Sequence, residues 1–111
     1  MKKDPLVFVK HILDSIKDIE DFSGGLSKND FLKDNLRQSA ILRKIEVMGE
    51  AVKNLPRDFT KKHSSIPWED IAGMRDKVIH HYFGVDLNKV WNVVEYELPK
   101  LKKEIQTILE L

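Results

Sequence analysis

The sequence predicts an all-α protein, an up-and-down bundle of four to five helices that forms a single domain over residues 1–111. Three observations favour this fold. Apolar residues recur at three- and four-residue spacing along most of the chain. Asp, Ser and Pro residues typical of helix starts precede these segments. No segment shows the alternation of a β-strand.

Charge and composition narrow the class of protein. The chain has 19 basic and 18 acidic residues, so its formal charge is +1, and it has no Cys. A near-neutral protein has no global basic field, and any nucleic-acid binding must come from a local patch. Without Cys there is no disulfide framework and no thiolate metal site. The longest apolar run is too short to cross a membrane, and no signal peptide is seen, so we expect a cytoplasmic protein.

The first helix is predicted from Asp4 and Pro5, a cap residue followed by a first-turn proline. It extends to about Phe22, and Gly24-Gly25 ends it. Its apolar residues have helical spacing: Phe8, Val9, Ile12, Leu13, Ile16 and Ile19.

The second long helix begins either at Ser27, which forms a weak capping box with Asp30, or near Asp34, and Pro56 stops it. Its main apolar row contains Ile41, Ile45, Met48, Val52 and Leu55. A weaker row on another side contains Leu36, Ala40, Val47 and Ala51, and Arg43, Glu46 and Glu50 lie between the rows. Two rows indicate packing on two sides, within the bundle or against a second subunit.

The remaining helices are punctuated by proline and glycine. One helical turn is predicted at residues 58–62, and a central helix of roughly four turns from Pro67 to Phe83, closed by Gly84 in a left-handed conformation. The last helix starts after Asp86 and keeps its register past Pro99. Because proline removes a backbone hydrogen bond, we expect either one helix bent at residues 95–99 or two nearly collinear helices.

The central helix contains the candidate chemistry. On a helical wheel, Arg75 falls near the middle of an apolar stripe, where an unpaired guanidinium would be costly. Asp76 and His80, four residues apart, share a face and could touch. In a phosphodiester site, His80 could act as general base or acid and Arg75 could brace the phosphate. The alternative is that Arg75 pairs with Glu46 or Glu50, and that His80 is a solvated helix-end residue.

Other candidates are weaker. Adjacent His80 and His81 do not make a helical ligand pair, so no metal and no cofactor are expected. Trp68 is predicted in the core, whereas the place of Trp91 is left open. A small basic cluster, Lys100, Lys102 and Lys103, is read first as a solvated face and second as a contact to a substrate backbone.

Residues 67–86, with the motif Arg75-x4-His80-x-Tyr82, resemble the HepT-like branch of the HEPN superfamily, and residues 41–51, 87–91 and 97–101 resemble its other helices. This resemblance implies an all-α homodimer in which two motif helices meet. It further implies a metal-independent endoribonuclease that acts as a toxin, with Arg75 and His80 as the catalytic pair and Asp76 beside them.

The same resemblance implies a partner, a minimal nucleotidyltransferase antitoxin of the MntA type that transfers AMP to Tyr82. The alternative function is a non-catalytic helical module that binds a nucleotide or the nucleotidyltransferase. Arg75 and His80 lie about 140° apart on a straight helix, which favours a site completed by the same helix of a second subunit.

Overall fold

The computed structural model describes residues 4–80 and 84–110, with residues 79 and 80 described by their backbone alone. The elements in chain order are α1 (Pro5–Ser23), α2 (Lys28–Leu32), α3 (Asn35–Lys53), α4 (Arg57–Lys62), α5 (Trp68–Ala72), α6 (Met74–Val78), β1 (Ile79–His80), β2 (Gly84–Val85), α7 (Leu87–Asn92), a π-helical segment (Val93–Glu97) and α8 (Leu98–Leu109).

Side-chain caps begin the helices where the sequence predicts them. Asp4 accepts a hydrogen bond from the Leu6 amide at 3.0 Å, and Asp86 accepts one from the Lys89 amide at 3.2 Å. The sequence offers two helix starts after the Gly24-Gly25 turn, and both occur: a capping box begins α2 at Ser27, and Asp34 caps α3. Each cap satisfies amide groups that a helix start leaves unpaired.

The core lies between α1, α3 and α8. Helix α1 packs mainly against α3 and next against α8, while α3 also supports α5 and α6. The main apolar row of α3 is buried as predicted, and so are Val9, Ile12, Ile16 and Ile19 of α1. At the rim, Lys44 pairs with Asp18 and Lys102 with Glu20, both at 2.8 Å. The prediction of an all-α bundle is confirmed.

Near Pro99, where the sequence predicts one bent helix or two nearly collinear helices, the chain forms a π-helical segment. Residues Val93–Glu97 form it between α7 and α8, and the Leu98 amide bonds back to the Val93 carbonyl. A π-helical turn lengthens the hydrogen-bond step by one residue, so the chain passes a proline that lacks an N–H without breaking the helix. Residues 87–109 thereby form a continuous helical column, which packs against α1, α2 and α6.

The predicted four-turn central helix is wrong in two places. It is interrupted at Gly73, between α5 and α6, and it ends at Val78 rather than at Phe83. The expectation that no strand occurs is also wrong, since β1 and β2 form a two-residue antiparallel pair with His80 opposite Gly84.

Local backbone chemistry explains where α6 ends. The Asp86 amide donates to the Val78 carbonyl at 2.7 Å, and Gly84 takes φ +76°, which L-residues with a side chain rarely adopt. The left-handed conformation predicted for Gly84 is thus confirmed, but it serves the strand pair and not a helix cap. The β-branched pair Val78-Ile79 favours extended structure, a signal that the helical wheel ignores.

No helix in the described ranges is both long enough and apolar enough to cross a membrane.

Candidate functional site

Arg75 lies on the open side of α6. Its helix buries Met74 and Val78, whereas the Arg75 side chain is 55% exposed. The prediction that Arg75 sits in the core-facing stripe is therefore wrong. The buried residues before and after the break at Gly73 are Trp68, Ile71, Met74 and Val78. The buried stripe is therefore displaced around the helix axis from the stripe that the helical wheel predicts. The guanidinium consequently needs no buried partner.

The partner of Arg75 is Glu46 of α3. Arg75 Nε lies 3.8 Å from Glu46 Oε1, and Arg43 Nη1 lies 3.8 Å from Glu46 Oε2. One carboxylate thus stands between two guanidinium groups from different helices. Of the two partners that the sequence left open for Arg75, the structure selects Glu46, because Glu50 pairs with Lys53. The place of Arg43 beside Arg75 was not predicted, although its spacing of three residues from Glu46 is a usable signal.

These ion pairs are loose. At 3.8 Å they exceed hydrogen-bond distance, and in the described part of the chain neither guanidinium donates a hydrogen bond. Pairs between exposed side chains contribute about 0–1 kcal/mol to stability. Arg75 is therefore held near α3 by charge, with its donors available to another group.

The remaining motif residues are only partly described. Asp76 is exposed on α6, and His80 lies in β1, past the end of the helix. The predicted i, i+4 face shared by Asp76 and His80 is wrong, because α6 stops before His80. For the same reason the 140° separation of Arg75 and His80 does not apply, and the inference of a second subunit from that angle loses its basis. Tyr82 lies outside the described residues.

Two aromatic residues have structural places. Trp68 is buried as predicted, and its indole N–H donates to the His63 carbonyl at 3.0 Å. Trp91, left open by the sequence, is half-buried, and its ring centroid lies 5.3 Å from that of Phe31. Both therefore serve packing.

The structure also describes the surroundings of the possible metal ligands and of the basic cluster. Over the described ranges, no group of three or more His, Asp or Glu side chains is arranged to hold a metal ion. In the basic cluster, Lys102 is engaged by Glu20 at 2.8 Å, while Lys100 and Lys103 are exposed. The cluster is thus partly neutralised at its centre.

Two shallow grooves lie beside α5, and neither contains Arg75. One, between α4 and α5, is lined on one wall by Arg57 and Lys61. The other runs along α6 past the ion pair of Lys77 with Glu97, which measures 3.0 Å. Because Arg75 faces α3 instead, the candidate site is an open surface between α3 and α6.

Comparison with known proteins places the chain in a family. The model of the family described as "Ribonuclease HepT-like" matches residues 12–108. A Methanocaldococcus jannaschii protein named "Putative RNase MJ0127" is 46% identical over 98% of this chain and 90% of its own length. "Probable ribonuclease HepT" of Thermococcus cleftensis is 41% identical over 97% of this chain and 98% of its own.

A third relative is longer. "Gamma-glutamylcyclotransferase and putative RNase MJ0434" of Methanocaldococcus jannaschii is 46% identical over 99% of this chain, which spans 50% of that protein's length. No solved structure matches. The family model covers α3, α6 and the residues of the Arg75-x4-His80-x-Tyr82 motif, and it agrees with the resemblance seen in the sequence. This chain belongs to the ribonuclease HepT-like family.

Proposed function

We propose that this chain is a metal-independent endoribonuclease that cleaves RNA with His80 and Arg75. His80 takes the proton of a ribose 2′-hydroxyl, and the oxygen attacks the adjacent phosphorus. The bond between phosphorus and the 5′-oxygen breaks, and that oxygen takes a proton from water and leaves as a hydroxyl group. The products are a 2′,3′-cyclic phosphate and a 5′-hydroxyl. Arg75 stabilises the charge that develops on the phosphate oxygens, and Asp76 lies beside it on α6.

One observation carries the proposal: on the exposed side of α6 lies a guanidinium that donates no hydrogen bond to the residues that the structure describes. Arg75 is 55% exposed and only loosely paired with Glu46. A planar group with five N–H donors suits a phosphate better than it suits a distant carboxylate. Membership of a family whose relatives are named as ribonucleases supports the same reaction.

Two copies of the chain are proposed to complete the site. A half-open site on a single chain, with Arg75 exposed toward solvent, is consistent with a homodimer in which a second copy covers this face. The exposed apolar residue Leu36, 81% accessible at the start of α3, lies on the same helix as Glu46. The domain is proposed to act as one unit over residues 1–111.

The reaction is tested by incubating single-stranded RNA with wild type, His80→Ala and Arg75→Ala in the presence of EDTA. We expect the wild type to cut and leave cyclic phosphate ends, and each variant to lose at least about 100-fold in rate, in line with general acid–base catalysis. Equal cutting by wild type and His80→Ala would contradict the proposal, as would loss of cutting on adding EDTA.

Mixing the two inactive variants tests the composite site. If Arg75 of one copy works with His80 of another, mixed dimers of Arg75→Ala and His80→Ala contain one intact pair, and cleavage returns in part. No recovery, with exchange of subunits verified by light scattering and differential tagging, would show that the pair acts within one chain.

Regulation by a partner is the second part of the proposal. We propose that the protein is a toxin that a minimal nucleotidyltransferase of the MntA type neutralises by transferring AMP from ATP to the Tyr82 hydroxyl, with release of pyrophosphate. The adduct adds bulk and negative charge two residues from His80, which repels RNA. Intact mass spectrometry after incubation with such an enzyme and ATP should show one added AMP on wild type and none on Tyr82→Phe. An equal adduct on Tyr82→Phe would refute this assignment.

The ion pair of Arg75 with Glu46 supports a second candidate, a non-catalytic module that binds a nucleotide or the nucleotidyltransferase. In that case Arg75 is a structural or recognition residue. Expression of wild type and of His80→Ala would then affect cell growth equally, whereas the ribonuclease requires that only the wild type slows growth.

A further inference from the structure

The surface between α3 and α6 contains a second arginine that no motif includes. Arg43 of α3 is 72% exposed, and its Nη1 lies 3.8 Å from Glu46 Oε2, while Arg75 Nε approaches Oε1 of the same carboxylate. Two positive groups therefore flank one negative group, and this cluster has a net charge of +1. The guanidinium groups come from different helices that the core holds together.

A neighbouring arginine, by contrast, forms a hydrogen bond with a carboxylate close to it in the sequence. Arg37 lies on α3 as well, and its Nη1 donates a hydrogen bond of 3.1 Å to Asp34, three residues before it. Arg43 also has a carboxylate three residues away, yet among the described residues it donates no hydrogen bond. A guanidinium has five N–H donors, and none from Arg43 or Arg75 forms a hydrogen bond to another described residue. Helix α3 therefore contains one arginine that donates a hydrogen bond to a carboxylate three residues away and another that, among the described residues, does not.

From this geometry we propose that Arg43 is a substrate-binding residue that contacts the RNA backbone beside Arg75, and that Glu46 is a positioning residue that keeps the two guanidinium groups side by side. This inference rests on the proposed ribonuclease function. A phosphodiester that enters between the helices meets two forks of donors, and phosphate oxygens accept from guanidinium groups at short distance. Glu46 holds the arginines by charge without using up their donors.

Glu46 is expected to have two opposite effects, one on RNA binding and one on the chemical step. Its negative charge lowers the attraction of the site for RNA, whereas its position between the arginines orients them for the reacting phosphate. Removal of the charge with little change of shape should therefore tighten RNA binding and slow the chemical step. A residue that matters only for folding would weaken both.

The binding test uses fluorescence anisotropy with a labelled single-stranded RNA whose 2′-hydroxyls are all methylated, so that it cannot be cleaved through that oxygen. We expect Arg43→Ala to raise Kd about tenfold at low salt, as for the loss of a charged contact, and to flatten the plot of log K against log salt by about 0.7, the value for one phosphate of a single strand. The matched control, Arg37→Ala, removes the same charge from the same helix and should leave both quantities unchanged.

The kinetic test uses Glu46→Gln on cleavable RNA, with Glu50→Gln, one turn further along α3, as its control. We expect Glu46→Gln to lower kcat about tenfold, as misplacement of a catalytic group does, with KM unchanged or lower. Glu50, which pairs with Lys53, should tolerate the same change without effect. Thermal unfolding and light scattering of every variant verify folding and oligomeric state.

Several outcomes would overturn the inference. Equal weakening by Arg43→Ala and Arg37→Ala would mean that only total charge matters. A kcat raised by Glu46→Gln would mean that Glu46 merely repels RNA, and a dimer lost in Arg43→Ala would make Arg43 a contact between copies. If His80→Ala cuts as well as the wild type, the ribonuclease proposal fails, while the anisotropy measurements still report whether Arg43 binds RNA.

Discussion

The environment of Arg75 differs between the sequence prediction and the structure. A helical wheel places it among apolar residues, whereas the structure places it 55% exposed beside Glu46. The difference follows from a shift of the buried stripe to one side across the break at Gly73. That Arg75 is a functional residue stays a prediction, because its exposure removes the argument from burial.

This exposure leads to a stability prediction for Arg75→Ala. Because the Arg75 ion pair is long and solvated, its loss should change the free energy of unfolding by less than about 1 kcal/mol. Ile45→Ala, on the neighbouring helix and fully buried, should cost about 2–5 kcal/mol by comparison. Urea denaturation measures both. A loss for Arg75→Ala as large as that for Ile45→Ala would make Arg75 a structural residue.

His80 and Asp76 illustrate the limit of reasoning from spacing. Four residues apart, they share a face only if the helix continues, and α6 ends at Val78. The backbone pairing of His80 with Gly84 replaces helical geometry by extended geometry at the residue that the motif makes most important. The roles of His80, Asp76 and Tyr82 accordingly remain proposals, tested by the substitutions described above.

At the scale of the element, a close approach between α3 and α5 positions the site. A Cβ on Gly49 would lie 3.2 Å from the Ala72 carbonyl oxygen, closer than nine in ten real contacts of that kind. Glycine therefore lets the end of α5 come against α3, and α6 follows from there with Arg75 near Glu46. The conformational cost of glycine within a helix is offset by this contact.

We expect Gly49→Val to lower the free energy of unfolding by about 1–3 kcal/mol, since added methyl groups must push the two helices apart. A gain in helix propensity of a few tenths of a kcal/mol offsets only part of this loss. Glu50→Val places the same side chain at the next, exposed position and serves as the control. Equal denaturation midpoints for the two variants would show that the contact at Gly49 is not limiting.

The other elements were largely predictable, because their signals are local. Caps at Asp4, Ser27, Asp34 and Asp86 and the irregularity before Pro99 depend on a few adjacent residues. The strand pair was missed for a different reason. It joins Ile79–His80 to Gly84–Val85, and the helix ends there because these two segments pair with each other.

For the whole molecule, charge restricts where RNA can bind. With a formal charge of +1, the chain has no overall attraction for a polyanion, so affinity must come from local groups such as Arg43 and Arg75. In the described part of the chain, most other cations of α3, α6 and α8 form ion pairs with carboxylates, as Lys77 does with Glu97. The distribution of charge thus favours a small recognition site over a broad basic surface.

The helical fold, the buried rows of α1, α3 and α8, and the family could be predicted from the residues alone, because periodic apolar spacing, capping residues and a contiguous motif are local features of the chain. The exposure of Arg75, its pairing with Glu46 rather than Glu50, and the place of Arg43 beside them could be read only from the packed helices. Those facts depend on the angle at which α6 leaves α5 and on the approach allowed at Gly49. Both arise from contacts between residues far apart in the sequence, which local spacing does not encode.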